Sequence, residues 1–299
     1  MKRYSCLSFV ILLFLFTSPS SSGEPTSFAF VAVGDTGCDC DGQLEIARRM
    51  FKWYDEKPYQ IVLMLGDNIY ARDYNRSGGS RALFEERFDK YYKPLIARGV
   101  KFYAVLGNHD VETNDGRDEI ADKQRFNILG NRGYYSFTPE VKVDETPLVT
   151  FYALNSSNLD KREDANQVAW LSRALTEDKS LWKIPFFHHP FYSPPGGHEE
   201  PSRLRSEMEA ILIAAGVRLT LAGHNHFYAR MKPRKGVIHF TSGGGGRKLV
   251  TPRADESTAE SAKVFHFLYM EVYPDNINFW AVPGSGPPID YGAIARTGP

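Results

Sequence analysis

One recurrence constrains this chain more than any other feature: short apolar runs, each closed by a cluster of polar residues. Val33 is followed by Gly34-Asp35-Thr36-Gly37, Leu65 by Gly66-Asp67-Asn68-Ile69-Tyr70, and Leu106 by Gly107-Asn108-His109-Asp110. Phe187 leads into His188-His189-Pro190, and Ala222 into Gly223-His224-Asn225-His226. The runs 28–33, 61–65, 102–106, 149–154, 184–187 and 219–222 have the length and composition of buried strands. Helical patterns separate several of them. Asp41 is placed to cap a helix with Leu44, Ala47, Phe51 and Tyr54 on one face, and 80–98 predicts a helix that kinks or ends near Pro94. Asp164 and Gln167 have capping-box spacing ahead of Val168, Leu171 and Leu175. After Ser202, the residues Leu204, Met208, Ile211, Leu212 and Ala215 share a helix face that Gly216 terminates.

Strands alternating with helices predict an α/β fold with parallel pairing. Segments 237–242, 264–272 and 276–280 read as strands with no helices between them, which predicts antiparallel additions and a second sheet. In an open parallel sheet the carboxyl ends of the strands share one edge, where ligands bind, so the five clusters should converge on one site.

The histidines point to the same edge. Of eight, His109, His188, His189, His224 and His226 lie at strand ends, and His198 follows in the loop after His188. His239 and His266 sit inside apolar strands and read as structural. Carboxylate and phenolate oxygens favour a hard, trivalent cation, whereas imidazole and amide oxygen suit a divalent one. Such a set fits two cations sharing one aspartate, and paired cations about 3.5 to 4 Å apart serve in-line phosphoryl displacement. Gly243 to Gly246 followed by Arg247-Lys248 lacks Walker spacing and reads as a tight turn beside the site. The aromatic stretch 84–92 reads as core packing, and no Gly-x-Ser-x-Gly elbow supports a serine hydrolase.

In order, the five motifs resemble those of the calcineurin-like metallophosphoesterases, and among them the purple acid phosphatases, including the small tartrate-resistant type. Asp35-Thr36-Gly37 stands where general members carry Asp-x-His, and Tyr70 follows three residues after Asp67. That exchange of histidine for tyrosine marks the iron(III)-tyrosinate subgroup. The resemblance implies a four-layer α/β/β/α sandwich of two mixed sheets flanked by helices. It also implies Asp35, Tyr70 and His226 on Fe(III), Asp67 as the bridge, and Asn108, His188 and His224 on a divalent ion (Fe, Zn or Mn). Pro190 sets the His-x-Pro frame that selects His188 over His189. His109 resembles the residue that contacts phosphate and helps protonate the leaving group. His198 falls near a second substrate-contacting position, in a loop whose length differs through Pro194-Pro195-Gly196-Gly197. The implied activity is an acid phosphatase that hydrolyses phosphate monoesters by in-line attack of a metal-bound hydroxide. A phosphodiesterase or nuclease of the same superfamily, or a non-enzymatic secreted binding protein on this scaffold, are the alternatives.

Charge argues against the nuclease. Lys+Arg and Asp+Glu are 36 each, so no global basic field exists to hold a nucleic acid. Lys2 and Arg3 precede an apolar run at 7–16 and small residues at 17–23, the order of a secretory signal peptide. The run is shorter than the roughly 18 to 20 residues a membrane span requires. The expectation is a leader at 1–22, one catalytic domain at 24–299, and a monomeric product that is secreted, periplasmic or lumenal, without membrane insertion, acting on small phosphomonoesters. Cys38 and Cys40, separated by Asp39 alone, read as two thiols or a labile bridge and not as a structural staple. Asn75-Arg76-Ser77 and Asn155-Ser156-Ser157 match the glycosylation acceptor pattern, which matters in a eukaryotic source.

Overall fold

The computed structural model describes residues 26–70, 79–157, 161–198 and 202–297; the predicted leader and the Asn75 sequon lie outside them. A strand that is apolar on both faces needs cover on both, and β1 (Phe28–Val33) is buried along its whole length. It pairs in parallel with β2 (Ile61–Met64), which pairs in parallel with β3 (Lys101–Ala104). A second sheet begins with β4 (Tyr135–Phe137), and a small hairpin, β5 (Lys142–Val143) and β6 (Thr146–Pro147), precedes β7 (Val149–Ala153). Then follow β8 (Trp182–Phe187), β9 (Leu219–Ala222), β10 (Tyr228–Met231), β11 (Ile238–Ser242) and β12 (Thr258–Ala262). The chain returns to the first sheet through β13 (His266–Val272), β14 (Asn276–Pro283) and β15 (Asp290–Ala295).

The first sheet runs β15-β14-β13-β1-β2-β3 and the second β12-β10-β11-β9-β8-β7-β4. The first is parallel from β1 to its edge at β3 and antiparallel on the other side, where β13 meets β1; the second has a parallel centre with antiparallel margins, β10 meeting β11 and β4 meeting β7. The inner faces pack on each other, with Phe30 against Phe151 and Phe240 against Phe279, ring centroids 5.1 Å apart in both pairs. Along β7 the period of two is visible: Phe151 and Ala153 belong to this inner core, whereas Tyr152 and Leu154 face outward. Helices cover the outer faces. On α1 (Asp41–Glu56), Trp53 packs edge-on to Phe267 and Tyr269 of β13. The short helices α2 (Gly79–Phe84), α3 (Lys90–Ile96), α4 (Asn108–Val111) and α5 (Arg117–Ala121) follow β2 and β3. On α6 (Lys161–Glu177) and α7 (Ser202–Ala214), Leu171, Leu175, Met208 and Leu212 are buried with Tyr152, Phe187 and Ala222 of the second sheet. Two mixed sheets flanked by helices are the architecture the motifs implied. Among the described residues no helix is long and apolar enough to cross a membrane.

Several local expectations need correction. The helical stretch ends near Pro94 as expected, α3 closing at Ile96, but Pro94 itself lies inside α3 and the stretch is already irregular before it. The irregularity is a π turn at Glu85–Asp89, one turn upstream, where the Arg87 carbonyl accepts a 2.7 Å bond from Gln43 Nε2 of α1. On α1 the fully buried face is Gln43, Ile46, Ala47, Met50 and Trp53, with Leu44, Phe51 and Tyr54 half-buried against the core, and Cys40 instead of Asp41 occupies the N-cap. Gln167 does not close a capping box, because α6 starts at Lys161. Its amide brackets Asn155 instead, accepting from the Asn155 N–H at 2.7 Å and donating to its carbonyl at 3.0 Å. Asn155 is buried, so that sequon presents no surface acceptor. Cys38 and Cys40 form a disulfide, with Asp39 between them at φ 49° turning the chain.

Candidate metal centre

The polar clusters do converge. β1, β2 and β3 of one sheet and β8 and β9 of the other point their carboxyl ends at one place, and the seven donors form two groups there. In the first, Tyr70 Oη is 3.2 Å from both Asp35 Oδ1 and His226 Nε2, which are 3.3 Å from each other. In the second, His188 Nε2 lies 3.1 Å from Asn108 Oδ1, 3.1 Å from His224 Nδ1 and 3.4 Å from Asp67 Oδ1. Asp67 reaches both groups, since its carboxylate also lies within 4.8 Å of the Asp35 and His226 ligand atoms.

Tight turns make this possible. Asp35, Asp67 and His224 have φ of 62°, 51° and 69°, values that few non-glycine residues adopt and that concentrate at functional sites. Gly107 has a steric role: a Cβ there would sit 2.1 Å from Asp67 Oδ1. The backbone is held by carboxylates behind the site. Asp35 Oδ2 accepts the His224 N–H at 2.8 Å. Buried Asp110 accepts the N–H groups of Gly107 and Ile69 at 2.7 and 2.9 Å, and bonds to Asn68 through backbone and side chain. Burial and then the neighbouring Asp67 push its carboxyl up to about 8.

The donor chemistry fits cations. His188 Nδ1 faces the Leu65 carbonyl at 2.8 Å; a carbonyl only accepts, so the ring proton sits on Nδ1 and the Nε2 lone pair faces Asn108, His224 and Asp67. His226 Nδ1 faces the Lys248 carbonyl at 3.0 Å in the same way, aiming Nε2 at Asp35 and Tyr70. Around His188 Nε2 lone pairs thus crowd together at contact distance, an arrangement that a positive ion relieves. Burial, reinforced by the surrounding histidines, holds His188 well below the usual imidazole range and pushes His224 down to about 2, so both rings are neutral donors. Burial and the adjacent Asp35 raise the Asp67 carboxyl well above the carboxylate range. Among the described residues neither aspartate has a lysine or arginine ion-pair partner.

The remaining expected residues ring the site. His109 packs on Tyr70 with centroids 4.7 Å apart and bonds Glu112 at 3.1 Å, while its N–H donates to Asp67 Oδ1 at 3.0 Å. His198 is exposed, 4.6 Å from the His224 ring, with its N–H held by Asn225. His239 and His266 are buried away from the centre, His239 beside Thr220 and His266 beside the Val264 carbonyl, and neither Nε2 has a hydrogen-bond partner among the described residues. The glycine run lies alongside the site, and a Cβ on Gly243 would sit 2.7 Å from Asp35 Oδ2. Sequence reasoning missed the role of Arg247, whose guanidinium lies 4.5 Å from the Tyr70 ring centroid, and those of Asp110 and Ser156. For Arg247 and Asp110 the signal was adjacency, since one follows the glycine run and the other His109; Ser156 had none.

Comparison with known proteins agrees with this geometry. The chain is 24% identical over 312 residues to tartrate-resistant acid phosphatase type 5 of Oryctolagus cuniculus, covering 93% of this chain and 95% of the relative. Among solved structures, the purple acid phosphatase PPD1 of yellow lupin (Lupinus luteus) superposes with TM-score 0.72 at 18% identity, covering 91% of this chain and 54% of that one. GAP50, the anchor in the inner membrane complex of Plasmodium, superposes with TM-score 0.75 at 16% identity, covering 90% and 89%; at these identities both structures show a shared fold. Residues 28–228, more than half of the chain and spanning all seven donors, match the model of the calcineurin-like phosphoesterases, and the chain belongs to that family.

Proposed function

We propose that the chain is a binuclear acid phosphatase of the purple type, hydrolysing small phosphate monoesters, and that it is exported as a monomer after removal of a leader at 1–22. The observation that carries the reading is Tyr70 Oη at 3.2 Å from Asp35 and His226, a phenol oxygen that, once deprotonated, favours a hard ferric ion. On this reading Asp35, Tyr70 and His226 hold Fe(III), Asn108, His188 and His224 hold a divalent Fe, Zn or Mn, and Asp67 bridges. Bound there, two cations supply activation of water and neutralisation of phosphate charge.

The protein's own part is positioning. His109, packed on Tyr70 and oriented by Glu112, contacts the phosphate and delivers a proton to the departing alkoxide. His198, exposed at the rim beside His224, meets the substrate from the opposite loop. Arg247 stacks on Tyr70 and adds local positive charge to a chain whose formal net charge is zero.

Metal analysis and a p-nitrophenyl phosphate assay test the reading. Two metals per chain, one of them iron, and a visible tyrosinate-to-iron absorption that Tyr70→Phe abolishes are expected. Active, iron-free, colourless protein would refute the ferric assignment. Preference for a diester over the monoester would favour the phosphodiesterase. Export is checked by amino-terminal sequencing of the product.

A further inference from the structure

His189 follows a metal-ligand position, yet its surroundings give it the opposite tautomer. Ser156 Oγ receives the backbone N–H of His188 at 3.2 Å and of His189 at 3.0 Å. Those two donors occupy the lone pairs of the hydroxyl oxygen, so its own proton must be donated. The acceptor is His189 Nδ1, 2.9 Å away. A neutral imidazole with an accepting Nδ1 carries its proton on Nε2. That nitrogen has no ring lone pair left for a cation, whereas His188, whose Nδ1–H donates to the Leu65 carbonyl, keeps one on Nε2.

The Nε2–H lies on the side of the ring away from Ser156. The ring packs 4.3 Å from His224 and 4.8 Å from His188, and His198 packs on His224 from the rim. Ring nitrogens of His188, His189 and His224 lie within 4.8 Å of one another. Among the described residues no acceptor meets His189 Nε2, and the atom is not sealed from solvent. An open donor beside the metal-ligand imidazoles is suited to an anion bound in the centre.

We infer that His189 is a fixed hydrogen-bond donor to the phosphate group of the bound ester, locked in its Nε2–H tautomer by Ser156, and not a metal ligand. The inference rests on the phosphomonoesterase reading for its substrate. In protein reconstituted with zinc and labelled with 15N-histidine, a long-range proton–nitrogen correlation should report His189 as the Nε2–H tautomer, and Ser156→Ala should turn it into a mixture. His189→Phe should retain two metals per chain while KM for p-nitrophenyl phosphate and the dissociation constant of inorganic phosphate rise by about ten- to a hundredfold, the loss of a hydrogen bond to a charged group. His189→Gln, whose amide can donate from nearly the same place, should recover part of that affinity. An Nδ1–H tautomer, loss of a metal in His189→Phe, or unchanged phosphate affinity in that variant would each overturn the inference. If the wild-type protein hydrolyses no phosphomonoester, the enzymatic reading fails separately, and the phosphate titration still decides the role of His189.

Discussion

Asp35, Asp67 and His224 adopt left-handed φ values, each costing of order 1 kcal/mol or more, and the surrounding bonds offset that cost. Asp35 N–H donates to the Gly66 carbonyl at 3.0 Å and its own carbonyl accepts from Arg247 at 3.1 Å, so the residue is held from both sides. Which residue types gather was legible in the chain, because donors are named by their side chains. Which of two adjacent histidines offers a lone pair rests on the Leu65 carbonyl and the Ser156 hydroxyl, partners that no local pattern reveals. A prediction at this scale concerns the buried histidines remote from the site. Burial pushes His239 and His266 down to about 4; for His239, Glu209 opposes the shift and Arg234 adds to it. Between pH 6.5 and 4 the unfolded chain therefore binds protons that the folded chain refuses. The stability they contribute is complete above pH 6.5 and is lost as pH falls through 4, on the order of 3 kcal/mol for each ring. Urea unfolding midpoints should fall over that window, and fall less steeply in His239→Gln.

At the scale of elements, runs of apolar residues were enough to locate β1, β2, β7, β8 and β9, which are buried on both faces. β12 (TAESA) and β15 (DYGAIA) have weak strand composition, and pairing holds them in place, β12 on β10 and β15 on β14. The π turn was equally hidden. Pro94 marked the end of the helical stretch near Ile96 but not the deformation, which falls where Gln43 takes the Arg87 carbonyl across 44 residues of sequence. Gln43 is fully buried, and its loss strands an interior carbonyl. Gln43→Ala should lower the unfolding free energy by about 1 to 3 kcal/mol, measured by urea denaturation; an unchanged midpoint would show that the turn forms without this bond.

At the scale of the molecule, two sheets face each other and are tied at two places. Toward one edge of the sheets, Asp290 of β15 accepts a two-pronged bond from Arg230 of β10, at 2.7 and 3.1 Å, and one from Tyr228 at 2.6 Å. At the site the donors come from both sheets, Asp35, Asp67, Tyr70 and Asn108 following strands of the first, and His188, His224 and His226 following strands of the second. Metal bound there would cross-link the sheets. A ligand at a thousandfold its dissociation constant adds about 4 kcal/mol to folding. Chelation should therefore lower the thermal midpoint reversibly in the wild-type protein and much less in Asp67→Asn. Equal midpoints for stripped and reloaded protein would contradict a centre shared by both sheets.

The amino-acid sequence by itself determined the alternation of strands and helices, the edge where the polar clusters meet, and the kinds of donor those clusters bring there, because periodicity and side-chain chemistry are local properties of the chain; the choice of seven among them came from the family resemblance. Tertiary structure decided what depends on direction in space. It set the oxygen of Asp67 between two groups, gave His188 and His189 opposite tautomers, laid Arg247 on Tyr70 and closed the bridge between Cys38 and Cys40. A hydrogen bond or a lone pair acts only along its axis, and those axes are fixed by partners far away in the chain.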